Sequence, residues 1–297
     1  MIRTRLRHLS AAMMRPAIIP GRYKVYRLLS NILGEEPLPF VVPLPGGGNL
    51  FVNSAFWKHM FYLGDYEYEV RRFLIRQIQS GSTVFDVGAS IGICTVPLAI
   101  RLGQHGRIYA FEPLASNYET LLHNIKLNNL TNVVPVFAAV ADQEGTIYMP
   151  DVDSGNCSLA SECDHHSSVP ALTLDTFTAQ HGIHSIDLMK IDIEGSETKA
   201  LRGASRLLSS GAIGQILIEF NPHWLKRMGS SPDELYDLFE QFGLVVNFLT
   251  RFGTCVRTNR KGVMGRIKSP DSYFNLVLTS SKNARQQVSS KHIAPQM

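Results

Sequence analysis

Asp192 and Glu194, two carboxylates one residue apart, close the apolar run Ile186-Asp187-Leu188-Met189-Lys190-Ile191 and stand just ahead of Gly195. Carboxylates in that setting can take a proton from a hydroxyl or hold that hydroxyl in line for a displacement. The pair could instead hold Mg2+ and acidify the hydroxyl, although two carboxylates are few for a metal site. The plainer reading is a cap for a helix starting near Ser196, because Asp and Glu favour helix N-termini. A second candidate base is His223 in Asn221-Pro222-His223-Trp224, which titrates near neutrality and has Trp224 as an apolar or sugar-stacking wall. A surface histidine beside a packed tryptophan fits that turn equally well.

A binding element lies upstream. In Asp86-Val87-Gly88-Ala89-Ser90-Ile91-Gly92 the glycines permit a backbone bend and close approach of a ligand, and Asp86 can accept hydrogen bonds from an amine or orient the turn. The spacing is G-x-x-x-G rather than G-x-G-x-x-G, so it matches a dinucleotide cradle poorly. Glu112 follows Gly92 by 20 residues, placed to accept from both hydroxyls of a ribose. Each feature alone occurs in many doubly wound proteins; in register they point to a nucleoside ligand. Two other groupings are weaker. Cys157, Cys163, His165 and His166 carry zinc-competent atoms at a spacing that suits no usual zinc site, and read better as a lid or acceptor loop. Arg251, Arg257, Arg260, Lys261, Arg266 and Lys268, with no acid between them, form a basic loop that could meet an anionic acceptor, with a solvated face as the default.

The elements that must position these groups alternate. Helical spacing over 65–79 is followed by a short strand at 83–87, the glycine turn and an apolar helix to about residue 102. Strand 107–111, helix 114–128 and strand 133–140 continue the pattern. A Ser-, Asp- and His-rich loop at 151–168 and a short helix at 172–181 lead to strand 186–192. Helix 196–209, strand 215–220, helix 232–242, strand 244–249, the basic loop and strand 273–279 complete it. Such βα alternation builds a parallel sheet whose carboxyl edge binds ligands. The two final strands, with no helix between them, predict an antiparallel end to the sheet. Ahead of it, four prolines within 37–45 and Gly46-Gly47-Gly48 read as a linker or hairpin turn.

Composition agrees with a globular chain: 297 residues, 44% hydrophobic and 18% charged. The formal net charge of +4 is too small to argue for nucleic acid. Its distribution says more, since residues 1–34 hold Arg3, Arg5, Arg7, Arg15, Arg22, Lys24 and Arg27 and no acid, leaving a mildly acidic body. That segment reads as a basic surface helix with a frayed end, or as a peripheral membrane or partner contact. Arg15, Pro16 and Pro20 interrupt any signal-peptide core, and no apolar run reaches the ~18 residues of a transmembrane segment. Four cysteines without a CxxC pair suit a reducing compartment, so a cytoplasmic protein is expected.

At this point the chain resembles the FkbM family of class I S-adenosylmethionine-dependent methyltransferases. The resemblance rests on residues 84–92, with Ser90 where the family usually has Asn; on Ala110-Phe111-Glu112-Pro113 with Asn117 and 124–129; and on Leu174-Asp175-Thr176-Phe177. It continues with Ile186 to Gly195, Glu197, Leu201 and Gly203, then Ile218-Glu219 and Asn275-Leu276. It implies a doubly wound, seven-stranded, mostly parallel α/β sheet of Rossmann-like type with the last strand antiparallel. It also implies S-adenosylmethionine as cofactor, held by Asp86, Gly88, Ser90, Gly92, Glu112 and Asp192, with the adenine near 139–142.

The expected organisation is a basic N-terminal extension and cap at 1–64, a methyltransferase domain at 65–280 and a disordered tail at 281–297. The expected reaction is O-methylation of a sugar, glycan or polyketide-like small molecule, with Asp192, Glu194 or His223 as the catalytic group. No resident metal, nucleic-acid partner or transmembrane segment is expected. The competing readings are a nicotinamide-dependent oxidoreductase on a similar sheet and a non-catalytic binding module that keeps the fold.

Overall fold

Val84 and Phe85, Leu188 and Met189, and Leu217 and Ile218 are adjacent pairs in which both members are buried, the signature of strands covered on both faces. In the computed structural model, which describes residues 38–54, 57, 68–150, 166–269 and 271–280, these residues form the centre of an eight-stranded sheet. The parallel strands are β3 (Thr83–Val87), β4 (Arg107–Phe111), β5 (Val133–Val136), β9 (Ile186–Ile191) and β10 (Ile213–Phe220). Beyond β10 come β13 (Phe274–Ser280), antiparallel to it, then β11 (Leu244–Leu249) and a short β12 (Cys255–Arg257). The order is β12-β11-β13-β10-β9-β3-β4-β5. The expected doubly wound sheet with an antiparallel last strand is therefore present, extended by β12 out of the supposed basic loop.

One face of the sheet packs Phe85, Phe111, Met189 and Ile218 against α4 (Leu174–Gln180), α5 (Glu197–Arg202), α6 (Ser205–Ser210) and α8 (Pro232–Gln241). The other packs Val84, Ile108, Leu188 and Leu217 against α1 (Tyr68–Gln77), α2 (Thr95–Leu102) and α3 (Ala115–Leu127). The Leu-Asp-Thr-Phe block is structural. Phe177 lies edge-on to Phe111 at 4.9 Å, and Asp175 accepts the Arg206 and Leu207 N–H groups at 2.7 and 3.0 Å, capping α6. In the basic run, α9 (Arg260–Met264) brings Arg260 onto α8, where it pairs with Asp233, Asp237 and Glu240 and lies over the Tyr236 ring.

Three departures bear on the site. The strand read at 133–140 is two: after β5, Ala138 donates to the Val136 carbonyl, and β6 (Ala139–Val140) leaves the main sheet. It joins β8 (His166–Leu172), which also pairs with β7 (Gly145–Pro150), in a three-stranded sheet that takes in 166–168, where the loop expected at 151–168 ends. The helix read at 196–209 breaks into α5 and α6 at Gly203, where a side chain would strike the Ala141 carbonyl at 2.0 Å. The third concerns the cap ahead of residue 64, which packs on the sheet domain. The hairpin β1 (Phe40–Pro43) and β2 (Asn49–Val52) buries Val42, Leu50 and Val52 against Ile91, Ile93 and Val96. Its backbone is latched to α3: Asn124 accepts the Phe51 N–H at 2.6 Å, and Asn128 accepts from and donates to Asn49, both at 2.7 Å. The segment 1–34, the Cys157–Cys163 run and the tail 281–297 lie outside the described residues. No helix among the described residues is long and apolar enough to cross a membrane.

Candidate active site

Two backbone turns meet at the carboxyl ends of β3 and β9. Gly88 has φ +84°, and a side chain there would lie 1.9 Å from the Asp192 carbonyl oxygen. The close approach that Gly88 permits includes that of the β9 turn. Ser90, with φ +51°, donates its N–H to Glu112 Oε2 at 2.8 Å. Leu114 donates its N–H to Glu112 Oε1 at 2.9 Å, so the carboxylate is held in one orientation at the end of β4. The Asn117 side chain is a third donor to this carboxylate.

These turns wall a cavity of about 510 Å³, within the range of small-molecule sites. Gly88, Ser90 and Glu112 line one part of it, Asp192 and Glu194 another, and residues 138–149 a third. The structure therefore brings together five of the residues singled out in the sequence. Asp86 and Gly92 are not in the wall. Asp86 is fully buried, accepting the Thr95 hydroxyl at 2.6 Å, and Gly92 faces Leu121 of α3. His223 is exposed on α7 (Pro222–Arg227), edge-on to Trp224, and neither ring lines the cavity. Lys190, Trp57 and the β7 residues Thr146–Met149 do line it and were missed. Lys190 reads as one more strand residue, Trp57 lies far upstream, and β7 carries little apolar alternation.

The turn between β9 and α5 is fastened from the helix side. Glu197, fully buried in the first turn of α5, accepts the N–H groups of Ile193 and Gly195 at 3.2 and 3.1 Å. Asp192 and Glu194 line the cavity. Glu194 holds φ +49°, and its Oε2 is buried without a hydrogen bond, as is Ser90 Oγ. Backbone strain and unsatisfied polar atoms are features that cluster at ligand sites.

Burial dominates the ionisation of this cluster. It pushes Glu194 from 4.5 to about 8, helped by the charges of Asp192, Glu112 and Glu197. It raises Glu112 and Glu197 to about 7 against the hydrogen bonds that favour their ionised forms. A carboxyl with a raised folded-state pKa binds its proton more tightly folded than unfolded. Stability then declines as pH rises from 4.5 through about 8 and is not penalised below that interval. Melting curves recorded without added ligand from about pH 5 to about pH 9 should show a falling midpoint, with a shallower fall in Glu194→Gln. A midpoint that rises across that range would contradict the burial described.

Among the described residues no group of three or more His, Cys, Asp or Glu could hold a metal ion. The wall suits a different guest, a cation beside a vicinal diol: Glu112, Asp192 and Glu194 present acids, and Ser90 Oγ and Glu194 Oε2 await partners.

Known proteins resemble parts of this chain. A curated relative, the hexuronic acid methyltransferase AglP of Haloferax volcanii, is 22% identical over 160 residues, 52% of this chain and 62% of its own. The tRNA(Phe) (4-demethylwyosine(37)-C(7)) aminocarboxypropyltransferase of Methanocaldococcus jannaschii is 37% identical over 123 residues, 39% of this chain and 48% of its own. The chain thus spans about half to three fifths of these relatives. Among solved structures, M. jannaschii TYW2 in complex with AdoMet is 16% identical at a TM-score of 0.41, covering 82% of this chain and 86% of that one. A family model described as the methyltransferase FkbM domain matches residues 86–246, more than half of the chain, which takes in both turns of the cavity, and the protein belongs to the FkbM methyltransferase family.

Proposed function

We propose that the protein transfers a methyl group from S-adenosylmethionine to a hydroxyl of a small-molecule or glycan acceptor. The observation that carries this reading is the carboxylate of Glu112, pinned by Ser90 and Leu114, facing the same cavity as Asp192 and Glu194. Glu112 accepts from the ribose hydroxyls, Gly88 and Ser90 border the methionine part, and Ala139–Asp142 flank the adenine. The cofactor, when bound, supplies a methyl group on a sulfonium and becomes an uncharged thioether. The acceptor's proton is then the charge left for the protein to manage. Asp192 takes that proton, and Glu194, protonated at neutral pH by its burial, donates a hydrogen bond that orients the acceptor oxygen. Alignment supplies the larger share of such a displacement, ~7–11 kcal/mol.

The sugar acceptor is favoured by the hexuronic acid methyltransferase relative, whereas the aminocarboxypropyltransferase relative is named for a tRNA. A transfer assay with methyl-labelled S-adenosylmethionine against uronic acids, neutral glycans and tRNA separates the two. Label is expected in the sugars as base-stable O-methyl ethers, whereas base-labile label would be a methyl ester and move the acceptor from a hydroxyl to a carboxylate. Label in tRNA alone would replace the acceptor class, and binding of NAD in preference to S-adenosylmethionine would remove the methyl-transfer reading altogether.

A further inference from the structure

The cavity wall holds two lysines, and their surroundings differ. Lys190 lies 3.2 Å from Asp192 Oδ2. Lys199, half-buried on α5, lines the same cavity, and among the described residues its ammonium enters no hydrogen bond or ion pair. It is one turn before Gly203, on the helix face that meets the Ala141 carbonyl, so it stands between the Asp192–Glu194 turn and the wall at 139–142. Acids elsewhere in the wall are engaged by other groups: Glu112 accepts from Ser90 and Leu114, and Glu144 accepts the Thr173 N–H and hydroxyl at 2.8 and 2.9 Å. Burial raises Glu194 to about 8, so at neutral pH it adds little negative charge. A partly desolvated ammonium facing a cavity is best satisfied by an anion.

We propose that Lys199 sets the acceptor class by binding an anionic group of the acceptor, a carboxylate or a phosphate, while the hydroxyl to be methylated meets Asp192 and Glu194. The proposal rests on the methyl-transfer reading of this cavity and narrows its acceptor. In that reading the cofactor offers no anion at Lys199: the adenine flanked by Ala139–Asp142 is uncharged, and the methionine carboxylate goes with Gly88 and Ser90 on the other turn. The anion that Lys199 takes is therefore the acceptor's. Its presence also fixes orientation. An anionic group turned toward Asp192 meets like charge, and turned toward Lys199 it meets a counter-charge. A sugar acid bound that way presents a hydroxyl, not its acid, to the carboxylate pair. A neutral sugar of the same shape gains nothing from the ammonium and has no such preference between its two ends.

Calorimetry on the full chain loaded with S-adenosylhomocysteine tests this without turnover. The probes are methyl glucuronoside, glucose 6-phosphate and the neutral methyl glucoside. At least one of the two anions should bind about 10-fold or more tightly than the neutral sugar, and which one does tells carboxylate from phosphate. Lys199→Met should bring that anion down to the affinity of methyl glucoside, Lys199→Arg should keep most of the preference, and S-adenosylmethionine affinity should be unchanged in both. Three results overturn the proposal: anions that bind no more tightly than methyl glucoside, a preference that survives Lys199→Met, or a loss of S-adenosylmethionine affinity in Lys199→Met, which puts the lysine on the cofactor's own carboxylate. If the preference appears and is lost in Lys199→Met while methyl label reaches no sugar hydroxyl, the methyl-transfer reading fails and the anion site stands.

Discussion

Asp192→Asn and Glu194→Gln should each lower kcat by about 100-fold or more while leaving cofactor affinity nearly intact. The amides keep the shape of the wall but remove, at 192, the proton acceptor and, at 194, the donor that a buried, protonated carboxyl provides. A capping role predicts otherwise, because Asn caps about as well as Asp and the substitution would be silent. In the structure Glu197 holds the turn ahead of α5 by accepting from the Ile193 and Gly195 amides, and the N-cap Ser196 makes no side-chain capping hydrogen bond. His223→Gln is the control: exposed and outside the cavity wall, it should leave kcat unchanged. Steady-state kinetics on the three variants, with and without a chelator, test the assignment. Loss of rate in His223→Gln alone transfers the base to the histidine, and loss with chelator alone requires a metal.

Removing the Glu112 carboxylate should weaken S-adenosylmethionine binding by about 10–150-fold, the ~1.5–3 kcal/mol expected when hydroxyls lose their acceptors in a buried site. Glu112→Ala also strands the N–H groups of Ser90 and Leu114, so its melting temperature should fall as well. Calorimetry on the folded fraction separates the two effects. Unchanged affinity in a folded variant would remove the ribose assignment and, with it, the strongest support for the cofactor.

What could be read from the chain beforehand followed periodicity. Strands such as 83–87 and 186–191 are short, β-branched and apolar on both faces, and the βα alternation dictates a parallel sheet with its ligand edge at the carboxyl ends. Glu112 and the Asp192–Glu194 pair were legible because that edge is where strands end. Other features depend on contacts between distant segments. The break after Val136 is set by which sheet Ala139 joins, and β7 and β8 present only a few buried positions, among them Val169 and Ala171. Asp86 looked like a ligand residue because it precedes the glycine turn. Its carboxyl instead turns inward, since Thr95 and Lys190, one on the next helix and one 104 residues on, are its partners. Trp57 lines the cavity from between the hairpin and α1, and nothing in the local pattern of residue 57 signals that.

The position of β13 has a consequence for assembly. It lies between β10 and β11, pairing Gln215 with Thr279 and Leu244 with Ser280, so the last strand in chain order among the described residues is an interior one. Strands β10 and β11 never touch each other through backbone hydrogen bonds; each waits for the same partner. Until β13 is in place, β10 presents a bare edge of Ile216 and Ile218, and the β11–β12 ribbon has no neighbour but itself. The half of the sheet that carries Asp86, Glu112 and Asp192 can zip from β3 through β9 as it is made, whereas the other half closes in one late, long-range step. During that interval the open β10 edge is where a second unfinished chain would pair.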